Sequence, residues 1–263
     1  VIIRERDLGA ILLQLPESSL ARAPLKGARL ANAELRGASL AGADLRGADL
    51  CSADLAGADL QGACLDGADL SGSNLSGASL EGASLCDAKL LGVNLTGTRF
   101  GGGNLRRTSW KLAYSVGAGP DFEDACLARA HLAHVTLAGA RFDGADLGEA
   151  SLNGSGFPRA SFRGASLVGA TLAGAVLTEA DLRQADLSGA LLCDAELTQA
   201  DFTGALFGRT VLARLPTLAR AAGLEAISHH GGSSIDVATQ SIEGLPAAFL
   251  GGIQVAHPAR APA

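Results

Sequence analysis

The chain has no methionine, one tryptophan, one tyrosine and eight phenylalanines among 263 residues. So few aromatics exclude a wide core filled by rings; with 35 glycines, they fit a narrow interior of leucine and alanine. No apolar run is long enough to span a bilayer, which excludes a membrane-spanning helix built from these residues. Five cysteines, Cys51, Cys64, Cys86, Cys126 and Cys193, are odd in number, scattered and without metal-ligand spacing. They point away from a disulfide framework and towards free thiols in a reducing cytoplasm. A net charge of −6 without a basic stripe argues against direct nucleic-acid binding. A chain that opens on Val1 and lacks methionine is expected to be processed, or to be a piece of a longer protein.

Chemistry is sparse as well. There is no Gly-Lys-Ser/Thr phosphate loop and no dinucleotide fingerprint, because the glycines follow a five-residue period instead. His229 and His230 lie near Ser233 and Ser234, but sequence neighbours in a glycine-rich turn rarely hold nucleophile–base geometry, and two histidines without a third ligand make a poor zinc site. No catalytic residue, metal or cofactor is expected.

What is present is repetition. Ala43-Asp44-Leu45-Arg46-Gly47-Ala48-Asp49-Leu50 holds two copies of a unit, small–Asp–Leu–x–Gly. Leucine-type centres recur at every fifth residue from Leu20 to Trp110 and again from Phe122 to Leu212, nineteen in each frame. Five residues advance about 500° on an α-helix, so the leucines form no stripe; on one long strand they alternate between faces. Within a unit, however, Ala43 and Leu45 point to one side and Asp44 to the other. If Arg46-Gly47 turns a corner, the next pair points inward again, and glycine suits such a corner. Leu45, Leu50, Leu55, Leu60, Phe157, Phe162, Leu182 and Leu187 are accordingly expected to define a shared axial core.

Tandem Ala-(Asp/Asn)-Leu-x-x, as in Ala53-Asp54-Leu55, Ala68-Asp69-Leu70 and Ala185-Asp186-Leu187, resembles the pentapeptide-repeat proteins over roughly residues 18–214. The resemblance implies an all-β fold, a right-handed quadrilateral β-helix with four units per coil. Thirty-eight units then make about nine and a half coils and a rod about 45 Å long at about 4.8 Å per strand.

The chain divides on this reading into an N-terminal cap (1–17), a first repeat block (18–112), a loop insertion (113–119), a second repeat block (120–212) and a short helical C-terminal cap with a tail (213–263). In the cap at the start, Ile2, Ile3, Leu8, Ile11, Leu12, Leu13 and Leu15 precede Pro16 and would cover the open end of the first coil. Between 113 and 119 the frame slips; alternatively Ala113-Tyr114-Ser115 is a poor unit with two residues inserted after it. At the end, Pro216 is expected to open a helix stopping at Gly223, and Ser234 to cap a second that ends at Gly244. Leu218, Leu224, Ile227, Ile235, Ile242, Leu245, Phe249 and Ile253 would cover the last coil, with a loose tail past Gly252.

Charge is uneven: the first block holds nine acidic and ten basic residues, whereas residues 113–212 hold twelve acidic and six basic. Candidate contact residues are Trp110, Lys111 and Tyr114 beside the frame slip, and Leu191 and Leu206, which take outward positions usually held by Asp or Ser. The tail, with Gly223-Leu224-Glu225, His229-His230-Gly231-Gly232-Ser233-Ser234-Ile235-Asp236 and Leu245-Pro246-Ala247-Ala248-Phe249-Leu250-Gly251-Gly252, resembles the segment after the repeats in bacterial proteins that carry a Toll/interleukin-1-receptor-type effector domain. These features imply a non-catalytic scaffold or protein-interaction module in the cytoplasm, such as the recognition or positioning part of a larger effector protein. The alternative, implied by the resemblance to pentapeptide-repeat proteins that protect DNA gyrase from quinolones or toxins, is a DNA-mimicking gyrase or topoisomerase binder. The partner would be a protein, either a fused effector domain or gyrase, with a homodimer through residues 213–253 as a further expectation.

Overall fold

The computed structural model describes residues 2–7, 9–14 and 19–256. Leu8, Leu15, Pro16 and the start of the repeats at Ser18 lie outside these residues, as does the tail from 257 onward.

Each unit turns a corner because its two residues after the centre form a β-turn. Ala48 N–H donates to the Leu45 carbonyl at 3.0 Å across Arg46-Gly47, and Gly47 has φ +63°. Positive φ at the third turn position is the signature of a type II turn, which explains the glycine period. Four corners complete a turn of twenty residues, and successive turns stack in parallel: Asp44 bridges Cys64, Asp49 bridges Asp69, Asp54 bridges Asn74 and Asp59 bridges Ser79. The outward residues therefore rise in four ladders, A to D, named from Asp44, Asp49, Asp54 and Asp59 in that order.

The five amides of a unit explain its composition. In the unit around Leu45, the Leu45, Gly47, Ala48 and Asp44 N–H groups all find backbone carbonyls, two of them on the coil ahead and one on the coil behind. Only the Arg46 amide lacks such a partner, and the Asp44 carboxylate accepts it at 3.3 Å. The same bond recurs from Cys51 to Asp49, Ala56 to Asp54, Gln61 to Asp59 and Ser76 to Asn74. The outward Asp or Asn is thus a corner clip as well as a solvated side chain.

All thirty-eight centres are buried, and Leu45, Leu50, Leu55, Leu60, Phe157, Phe162, Leu182 and Leu187 are fully so. Inside ladder D the rings of Phe100, Phe122, Phe142 and Phe162 stack at 4.8–4.9 Å, one per coil. Trp110 meets Phe100 and Phe122 edge-on, and its indole donates to Thr108 Oγ1 at 2.6 Å. Thr108 and Thr98 stand where alanine is usual; each satisfies its buried hydroxyl on a backbone carbonyl.

The frame slip is smaller than a seven-residue loop. Tyr114 bridges both Asn94 and Thr136, and Ala113 is buried, so 113–115 form a unit. The coil grows from twenty to twenty-two residues, as in the pairing of Arg99 with Asp121. The two extra residues sit in the corner Val116-Gly117-Ala118-Gly119.

At the start of the chain, β1 (Ile2–Arg4) pairs antiparallel with β2 (Ile11–Gln14). The Arg6 N–H then donates to the Asn32 carbonyl and the Glu34 N–H to the Arg4 carbonyl, closing the ladder C edge of the first coil, and Ile3 is buried beneath.

The C-terminal segment departs from a helical cap. Three late rungs are long enough to be strands: β3 (Leu191–Cys193), β4 (Leu206–Phe207) and β5 (Val211–Ala213). The chain then makes one further, irregular coil, with single 3-10 turns at Leu218–Arg220 and Leu224–Ala226. It places β6 (Ser228–His229) on β4 and β7 (Ser233–Asp236) on β5, both parallel. Ser234 lies within β7 and caps nothing, and the expected second helix shrinks to α1 (Val237–Gln240). After α2 (Ala247–Gly251), β8 (Ile253–Ala256) adds one more rung on β7, so residues 253–256 are ordered strand rather than loose tail. Repeat stacking continues because ladder donors and acceptors at an open end need partners, whatever side chains follow. Leu218, Leu224, Ile227, Ile235 and Phe249 are buried in this coil.

His229 is an exception inside it. Stacked on Phe207 in the core column, its ring lies against Phe249, and neither ring nitrogen has a hydrogen-bond partner. Burial pushes its pKa below the ordinary value of 6.5.

Leu55→Asp is expected to cost about 3–5 kcal/mol by placing a charge in the axial core, while Asp54→Leu loses a corner clip worth about 1 kcal/mol; urea unfolding of both variants checks the difference. Because the folded state holds His229 neutral, the stability it confers is intact above about pH 6.5 and falls as pH drops towards the lowered value. Amide protection factors in 228–256, that is exchange rates corrected for the intrinsic slowing of exchange at lower pH, should fall over that range in the wild type and stay flat in His229→Leu. Gly252→Ala, whose new Cβ would overlap the His229 ring, should loosen the same segment at every pH.

Candidate interaction surface

Corners determine what the rod shows to solvent. At the corner between ladders B and C, the φ-positive position is elsewhere glycine or a polar residue; Leu112 is the one apolar non-glycine among the described residues with positive φ, at +62°. The residue is 64% exposed. Beside it stand Tyr114 and Val116, also exposed, and one coil back Leu91, reached through the bond from Gly92 N–H to the Lys111 carbonyl. Val116 is held by its amide, which donates to Thr96 Oγ1 at 2.9 Å. Below Tyr114 on ladder C, the amides of Asn94 and Asn74 chain side chain to side chain down to Asp54, each bond 3.2 Å. An aromatic and three aliphatic groups therefore project from a stiff polar ladder.

Of the residues expected to make contacts, the structure brings Lys111 and Tyr114 together here. Trp110 does not join them: it is fully buried and belongs to the aromatic core, because a centre position faces the axis whatever residue fills it. Leu191 and Leu206 are half-buried rungs of β3 and β4 on ladders B and A, several coils further on, and form no common patch with Tyr114. Leu91, Leu112 and Val116 were not anticipated. Leucine where the period asks for glycine was the signal for Leu112.

The acidic surplus is arranged differently. Ladder D and its corner carry Glu81, Asp121, Glu123, Asp181 and Asp201, but arginines from neighbouring coils interleave with them. Arg99 pairs with Glu81 at 2.8 Å and Arg141 with both Asp121 and Glu123 across coils, while Arg183 pairs with Asp181 of its own coil at 2.5 Å and lies 3.9 Å from Asp201 on the next. Hydrogen bonds from Arg183 hold the Asp181 carboxyl below the usual range.

No constellation for bond-making assembles among the described residues. Ser233 accepts from the Thr210 amide at 3.2 Å, and His229 faces rings rather than a hydroxyl. The cysteines are all free and lie at outward positions; burial, then Asp49 and Asp69, push the Cys51 thiol up to about 12, which disfavours the reactive thiolate. No group of three His, Cys, Asp or Glu side chains suited to a metal ion occurs among the described residues, nor does any helix long and apolar enough to cross a membrane.

The five-residue period is matched by a known family model. The family model "Pentapeptide repeats" matches in eight copies over residues 18–55, 33–72, 63–102, 121–154, 157–192 and 172–209. Among solved structures, HetL, a pentapeptide repeat protein involved in heterocyst differentiation regulation from the cyanobacterium Nostoc sp. strain PCC 7120, is 32% identical; the match covers 80% of this chain and 91% of HetL, with a TM-score of 0.36. A trypsin-treated form of QnrB1, a plasmid-mediated fluoroquinolone resistance protein, is 15% identical over 77% of this chain and 92% of its own, with a TM-score of 0.42. A pentapeptide repeat protein from the Arabidopsis thaliana thylakoid lumen is 28% identical over 43% of this chain and 66% of its own, at a TM-score of 0.21. No curated protein sequence matches significantly. With the family model spanning most of the repeat frame, the chain belongs to the pentapeptide repeat family.

Proposed function

We propose that the rod is a non-catalytic scaffold for protein–protein interaction in the cytoplasm, and that Leu91, Leu112, Tyr114 and Val116 form its contact patch. Four ladders per twenty-residue turn support the square section; the right-handed sense comes with the family resemblance. The observation that carries the reading is Leu112. A leucine in the left-handed region costs about 1–2 kcal/mol, and this one returns little by burial. A residue that strains the backbone and displays an aliphatic group to water does nothing for the fold, so its use lies in contact with something else. A rigid support lowers the ordering cost of such a contact.

The gyrase-binding reading rests on the acidic surplus of residues 113–212. The interleaved arginines of ladder D weigh against it, because a surface that imitates DNA needs continuous unpaired negative charge and these carboxylates are largely paired within the chain. Protection of gyrase supercoiling by micromolar protein would favour it nonetheless.

Leu112→Gly is the discriminating variant. It should raise stability by about 1 kcal/mol while removing binding. Proximity cross-linking in a lysate of the source cells, read by mass spectrometry, should show one set of proteins that both Leu112→Gly and Tyr114→Ala lose and that Arg163→Ala keeps. A set unchanged by the two patch variants would remove the patch from the account.

A further inference from the structure

The corner between ladders A and B holds an arrangement that neither the repeat nor the contact patch explains. Residues at its φ-positive position rise in one column, Asp87, Arg107, Arg129 and Glu149, each about 4.8 Å above the last. Arg107 is bound by Asp87 through Nε and one Nη at 2.7 and 2.6 Å. Arg129 is bound by Glu149 in the same way at 3.0 and 3.2 Å. The two ion pairs point outward along the column, which leaves the two guanidinium groups adjacent, and the positive charge of Arg107 works against that of Arg129. Like charges on neighbouring rungs destabilise a sheet. Arg106, exposed next to Arg107, adds a third guanidinium that no side chain among the described residues engages.

These three arginines edge an open depression of about 750 Å³ that continues over Ala128, Gly148 and Gly169 to the exposed Val168. Glycine and alanine at successive corner positions keep its floor low. The acids on its margin are committed: Glu149 to Arg129, and Asp146 to the Gly148 amide at 2.9 Å and the Cys126 thiol at 3.6 Å. Among the described residues, one Nη of Arg107, one of Arg129 and the whole Arg106 head remain as unused donors.

We propose that this corner is a docking site for an acidic peptide segment of a protein partner, with a carboxylate side chain seated between Arg107 and Arg129 near Arg106 and a neighbouring aliphatic side chain over Val168. A carboxylate there accepts from guanidinium donors already oriented by Asp87 and Glu149, and it relieves the repulsion between the two arginines. The depression runs across several coils, which suits an extended segment better than a lone small anion. The site lies on a different corner from Leu112 and stands or falls without the contact patch.

The test is fluorescence anisotropy with the whole protein and a labelled decapeptide, Gly/Ser-based, carrying two glutamates and one leucine. Saturable binding is expected, weakened at least about fivefold by Arg106→Ala or by replacing the glutamates with glutamine, and weakened by raised salt. The Arg106 guanidinium has no partner among the described residues, so its replacement leaves folding intact; Arg107→Gln is the second variant, with unchanged circular dichroism confirming its fold, and Leu112→Gly should bind the peptide as the wild type does. The proposal is overturned by equal affinity for the glutamine peptide, by insensitivity to Arg106→Ala, by complete displacement with 10 mM-scale inorganic phosphate, which would mean a small-anion site, or by tighter binding of a single-stranded oligonucleotide of equal charge.

Discussion

The whole molecule depends on a hydrogen-bonding problem solved five residues at a time. A chain that turns a corner after every third residue must find a partner for each amide without long strands. Stacking at a twenty-residue interval satisfies three of the five amides per unit, the corner's own turn bond satisfies a fourth, and an outward carboxylate or carboxamide takes the fifth, as Asp44 does for Arg46. Centre residues are driven inward by burial, but where they stack is set by the ladder. This explains why Phe100, Phe122, Phe142 and Phe162 form a regular column, and why a histidine is tolerated on top of Phe207.

From the interior outward, each position has a separate duty. The centre and the small residue before it fill the axis; the outward residue clips a corner; the last residue of the unit accepts positive φ. Function is left with the side chains that fail at these duties or exceed them. Leu112 carries backbone strain and stays in water, and Arg107 and Arg129 stack like charges. Cys51, by contrast, is quiet, its thiol held protonated between aspartates. The surface of a repeat protein is therefore best read against its own period.

That period made most of the fold legible. The inward set, from Leu45 to Leu187, followed from spacing alone, and Asp54 was rightly placed outside, although its bond to the Ala56 amide was invisible without the geometry of the turn. The shift between the two frames was harder. Twelve residues from Trp110 to Phe122 admit either a loop or a weak unit, and the pairing of Tyr114 with Asn94 and Thr136 decides for the unit. Past Leu212 the period fades, and helix signals at Ser234 and Gly244 were outweighed by the parallel partners waiting on β5. Trp110 misled because it lies beside the frame slip, whereas its place in the frame assigned it to the core. The arginine corner was hidden because Arg107 and Arg129 are twenty-two residues apart and become neighbours only through the enlarged coil.

Residue-resolved amide hydrogen exchange tests the central claim most directly. The Leu50, Leu55 and Leu60 amides, bonded to the following coil, should be among the slowest in the protein; the Gln61 amide, clipped by Asp59, should exchange more slowly than that of Glu81, whose preceding Ser79 offers no such bond. Centre amides that exchange as fast as in an unfolded chain, or equal rates for Gln61 and Glu81, would contradict the account.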